Sequence, residues 1–85
     1  MTHEIKIENS FIEPILNGTK TFEIRKNDRG YQKGDYIVFI PFDKRGILDN
    51  THPIKSHTYE ITYVLSGWGI KKDYVVFSFK ELNSF

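Results

Sequence analysis

Eighty-five residues, 39% hydrophobic and 15% aromatic, suffice for one compact core but leave no room for a catalytic domain beside a separate binding domain. Twelve basic residues against eleven acidic ones give a net charge of +1, which argues against coating long nucleic acid by bulk electrostatics; any such role must rest on a local patch. The absence of cysteine excludes disulfides, thiolate metal sites and cysteine nucleophiles.

The opening Met1-Thr2-His3-Glu4 is charged and precedes no long apolar run, so a cytoplasmic chain without a membrane segment is expected. Residues 3–7 alternate, with Ile5 and Ile7 inward, and read as a first strand. Ser10 with Glu13 three residues on fits a capping box, opening a short helix over residues 11–16 that Asn17-Gly18 stops. Residues 20–26 form the second strand, closed by the turn chemistry of Asn27-Asp28-Arg29-Gly30. After Lys33-Gly34-Asp35, residues 36–40 are nearly all apolar and β-prone, a strand buried on both faces or close to it, with Pro41 at its end. Residues 43–56 lack pattern and read as a flexible excursion. Residues 57–65 alternate, placing Tyr59, Ile61, Tyr63 and Leu65 opposite Glu60, Thr62 and Val64. Ser66-Gly67-Trp68-Gly69 breaks that strand, and residues 74–80 form the last one, with Val75, Phe77 and Phe79 sharing a face. Five or six strands, one short N-terminal helix and no internal boundary predict a single mixed α+β, mainly β domain over 1–85, a small β-barrel.

Chemistry concentrates in Gly18-Thr19-Lys20-Thr21-Phe22-Glu23-Ile24-Arg25. Strand alternation would bury Phe22 and Ile24 and expose Thr21, Glu23 and Arg25, with Lys20 at the strand entrance. Such a row can hold a phosphate or the polar edge of a base, or it is simply a solvated face. Lys20, Arg25, Lys26, Arg29 and Lys33, interleaved with Phe22 and Tyr31, supply phosphate donors and stacking rings; the alternative is a lysine-bearing strand edge that discourages pairing. Glu23 between two cations can accept from a base amino group, act as a general base beside a lysine, or form an ordinary ion pair. His3, His52 and His57 lack metal-ligand spacing, and no cofactor motif is present. Trp68 between two glycines is either a stacking residue on a mobile loop or a ring tucked over the barrel end.

The spacing of Gly18, Lys20, Glu23 and Arg25 resembles the G-x-K-x-x-E-x-R signature of the ASCH superfamily, a PUA-like β-barrel group. His3-Glu4-Ile5-Lys6, Arg25-Lys26-Asn27-Asp28-Arg29, Gly34-Asp35, Glu60-Ile61-Thr62-Tyr63 and Tyr74-Val75-Val76 extend the likeness toward its small stand-alone bacterial and phage members. The resemblance implies a cleft beside the signature strand that binds RNA or another nucleic acid. Lys20, Glu23 and Arg25 would line it, with Asp28 and Arg29 at its rim. Some small relatives act as amidohydrolases on acylated nucleosides, using the signature lysine, a threonine three residues on and an acid in a later insertion. Here Glu23 stands at the threonine position and the chain is too short for that insertion, which favours binding over hydrolysis. The alternative is a small enzyme or sensor for a modified nucleoside or nucleotide.

Overall fold

The computed structural model describes residues 1–82. Strand β1, Thr2–Glu8, turns His3, Ile5 and Ile7 into the core. A 3-10 turn, Asn9–Phe11, leads into helix α1, Ile12–Leu16. The expected capping box does not form: the Ser10 hydroxyl instead donates to Glu8 (3.1 Å). The 3-10 turn delays the helix, so Phe11, which carries no acceptor, occupies the N-cap position. Gly18, at φ 82°, takes the left-handed conformation that ends the helix. The amides of Thr19 and Lys20 then both donate to the Pro14 carbonyl, at 3.0 and 2.9 Å.

Strands β2 (Phe22–Lys26), β3 (Tyr36–Phe42), β4 (Tyr59–Leu65) and β5 (Tyr74–Glu81) complete one sheet in the order β1-β3-β4-β5-β2. The β1·β3 pair is parallel and the others antiparallel. The crossover that a parallel pair requires carries α1 and β2, which sends β2 to the far edge. The sheet curls into a half-barrel, so its two edge strands face each other across an open seam. Arg25 Nη2 spans the seam to the Lys6 carbonyl (2.7 Å), and Arg29 Nη1 reaches the Glu4 carbonyl. These arginines satisfy edge carbonyls of β1 that no strand covers. The core inside the curl is built on Ile5, Ile7, Ile37, Phe39, Ile61 and Phe77. No helix among the described residues is long and apolar enough to cross a membrane.

Three further readings of the sequence are corrected. Pro41 lies within β3 rather than at its end. The β4 ladder on β3 stops at Ile37, and the Pro41 carbonyl accepts from Asp49 (2.8 Å), so the missing amide breaks no sheet hydrogen bond. The alternation of β4 fails beyond Ile61, where a β-bulge lets Tyr63 pair with Ser78. One extra residue flips the faces: Tyr63 turns outward and Val64 packs on the core. Residues 43–56 are anchored rather than loose. A 3-10 helix, Pro53–Ser56, capped by His52 Nδ1 accepting from the Ile54 amide (3.0 Å), drives the fully buried Ile54 into the core.

Candidate functional site

Pairing decides which face of β2 turns inward. Glu23 lies opposite Phe77 and Arg25 opposite Val75, and both partners point into the core. Glu23 is therefore buried, while Phe22 and Ile24 stand 51% and 54% exposed. This reverses the expectation that the apolar pair lies behind an exposed charged row. Period-two alternation separates two faces without naming the inner one. Here the cost of burying an acid is offset by two cations that enclose it.

Lys20 Nζ donates to Glu23 Oε1, and Arg25 Nε donates to Glu23 Oε2 at 3.0 Å. The same ammonium lies 4.7 Å from the Phe11 ring centroid and 5.4 Å from that of Phe22, within cation–π range of both. Arg25 continues to the Lys6 carbonyl, so one guanidinium ties Glu23, β2 and β1 together. Glu23 accepts from Lys20 through one oxygen and from Arg25 through the other, and so orients both cations. Lys20 uses one of three donors within the protein, and Arg25 keeps Nη1 free of protein partners among the described residues.

This cluster opens on a groove of about 500 Å³ along the seam, walled by Lys6, Glu8, Phe11, Lys20, Phe22, Arg25 and Tyr74 among others, so cations outnumber the one exposed acid. The backbone contributes as well. Phe79 donates to the Thr21 carbonyl and Asn27 donates to that of Asp73, so alternate residues of β2 serve the β5 ladder. The amides and carbonyls of Phe22 and Ile24 consequently face the seam. The groove thus offers cationic donors, a strand edge and exposed rings within one small concavity. Such a site suits a planar, anionic ligand.

Behind the groove lies a polar line that sequence reasoning missed. Tyr31 is buried with its ring 4.8 Å from His3 and 5.0 Å from Phe77. Burial pushes the Tyr31 phenol above its ordinary range, partly countered by Arg29 and Arg25. His3 Nε2 meets Asp35 Oδ2 at 2.8 Å. Burial pushes Asp35 upward, but hydrogen bonds from His3 and the Gln32 amide, together with the N-terminal ammonium, outweigh it and hold its carboxyl below the usual range. A buried histidine on an apolar strand face was the available signal, but its partner lies 32 residues away.

Of the residues singled out from the sequence, Lys20, Glu23 and Arg25 come together. Arg29 joins the seam at Glu4, and Asp28 is exposed in the adjoining turn. Trp68 does not line the groove: it stands 90% exposed at the tip of the β4–β5 hairpin, so it is not tucked over the barrel end. His57 bonds to Glu81 (2.6 Å) and His52 caps its 3-10 helix, so both serve the fold. Lys6, Glu8, Phe11, Phe42 and Tyr74 also line the groove, and the sequence announced none of them as site residues.

Comparison with known proteins finds that a family described as Domain of unknown function (DUF3850) matches residues 2–79. A protein of Escherichia phage P2, described as "Uncharacterized 12.9 kDa protein in GpA 3'region", is 39% identical over 36 residues. That match covers 42% of this chain and 33% of the phage protein, so the chain aligns with about a third of that relative's length.

Proposed function

The chain belongs to the DUF3850 family, and we propose that it is a nucleic-acid-binding module, for RNA in the first instance, whose ligand enters the seam groove beside Gly18–Arg25. The observation that carries this reading is the Lys20–Glu23–Arg25 cluster, in which a buried acid holds two cations at the floor of a groove edged by Phe11 and Phe22. The cations suit phosphate oxygens, and the rings and the β2 backbone edge suit a base. The likeness of the motif to the ASCH signature supports the same reading, and with it a PUA-like classification of the half-barrel. A second reading, a modified nucleoside or nucleotide as sole ligand, draws on the volume of the groove, about 500 Å³, which falls in the range of small-molecule pockets.

Lys6 provides a clean test, because it is exposed, lines the groove and enters no ion pair among the described residues. Binding of a labelled single-stranded RNA should weaken with salt, with a logarithmic slope of roughly −0.7 for each phosphate contact. Lys6→Ala should remove about one contact's worth of slope while leaving the melting temperature unchanged. Salt-independent binding of a neutral nucleoside would instead establish the second reading. Unchanged affinity and slope in Lys6→Ala would remove the groove from consideration.

A further inference from the structure

The outward face of β2, β5 and β4 lies outside the core, and only its β2 edge and Tyr74 reach the seam groove. Register sets Phe22 beside Ser78 and Ser78 beside Tyr63; Ile24, Val76 and Leu65 form the next row, and Lys26 stands beside Tyr74. Tyr63 is 62% exposed, and Trp68 stands beyond this sheet end on the hairpin tip at φ 54°, between two glycines. Lys71 Nζ lies 5.1 Å from the Tyr74 ring centroid, and Lys80 is exposed one residue beyond the inward Phe79. Against these lysines, the outward positions of the three strands carry one acid among the described residues, Glu60.

Three features decide what this face fits. The rings are separated: Phe22 and Tyr63 are two strand spacings apart, about 10 Å, and Tyr74 lies four residues along β5 from Ser78, about 13 Å. Each ring can therefore take its own flat partner. Lysines stand among the rings, whereas the buried centre of a protein–protein interface is depleted of lysine. Phe22 and Ile24 border the groove as well, so the face and the groove form one continuous surface. We infer that this face is a stacking platform for a single-stranded nucleic acid, which runs from the groove across β5 and β4 toward Trp68. The inference rests on the nucleic-acid reading of the groove and extends it to a second contact surface. Stacking holds bases by their π-faces and lysines neutralise the passing phosphates, so the platform tolerates sequence and lengthens the footprint to several nucleotides.

Trp68 is the single tryptophan of the chain, so its fluorescence reports the platform directly. Titration of the full chain with an oligouridine of about 12 nucleotides, within the range of known single-strand sites, should quench its emission. Tyr63→Ala and Trp68→Ala should each weaken binding on the order of tenfold, read from the anisotropy of an end-labelled oligouridine because the Trp68 variants carry no tryptophan. Their salt slope should match that of the wild type, because a stacked ring releases no counterions. Lys6→Ala should do the opposite, lowering the slope without altering the maximal quench. Wild-type affinity in the Tyr63→Ala/Trp68→Ala double variant overturns the platform and leaves the groove reading standing. A Lys6→Ala variant indistinguishable from wild type, with weakened platform variants, overturns the groove reading alone. Absence of oligouridine binding by the wild type overturns both. A wild-type dimer that the double variant converts to a monomer, with oligomer affinity unchanged, assigns the face to a second copy of the chain and likewise overturns the platform.

Discussion

Replacing Glu23 by Gln probes the centre of the site. The change keeps the shape of the side chain and removes the charge that Lys20 and Arg25 share. Breaking a fully buried ion pair costs about 3–5 kcal/mol, because the abandoned charge remains in a poor solvent. Here the Glu23 side chain is 7% exposed, but Lys20 and Arg25 are 15% and 27% exposed, so both cations regain some water. The expected loss is therefore reduced to roughly 2 kcal/mol. For a domain of this length that corresponds to a fall in Tm of about 8–16 °C. Thermal and urea unfolding of Glu23→Gln, Lys20→Met and the double variant form a cycle. Lys20→Met should be less damaging in the Glu23→Gln background by at least about 1 kcal/mol, since its partner is already gone. A Glu23→Gln melting point within about 2 °C of wild type, or strictly additive losses, would show that Glu23 bears no structural charge pairing and refute the reasoning.

Two further outcomes are expected. Ile54→Ala should destabilise by about 2–5 kcal/mol and Ile54→Val by about 0.5–1.5, measured by urea unfolding, because this residue of the 43–56 segment is fully buried; losses within about 0.5 kcal/mol would mean that the segment is not part of the core. Asp35 has a folded-state pKa below its ordinary value of 3.8, so its ionised form contributes stability that is present above that value and lost as pH falls through the folded pKa. The stability gap between wild type and Asp35→Asn, about 1–2 kcal/mol at neutral pH, should therefore close as the pH falls below about 4, and a gap that persists at lower pH would exclude the carboxylate as its source.

Local chemistry was sufficient for much of the fold. Alternation in Ile5 and Ile7 and in Val75, Phe77 and Phe79 marked two strands and their inner faces, and Asn17-Gly18 marked the helix stop. The mainly β class was likewise legible, and so was the pairing of Glu23 with Arg25, two apart on one strand face; Lys20 joins them because the turn after Gly18 holds it outside the strand. What the sequence could not decide were questions of partner. Glu23 faces inward because β5 presents Phe77 and Val75 opposite β2, and no property of the strand by itself carries that pairing. Tyr63 faces outward because a bulge against β5 shifts the register by one residue. Pro41 is tolerated because β4 has already left its side of β3, and Ile54 is core because its 3-10 helix closes over that strand. The groove itself exists because the half-barrel leaves β1 and β2 unpaired with each other, with Arg25 and Arg29 reaching 19 and 25 residues back in the chain to bridge them. Side-chain periodicity and turn chemistry are written locally; inside and outside, and the seam between two edges, follow only when distant strands choose their neighbours.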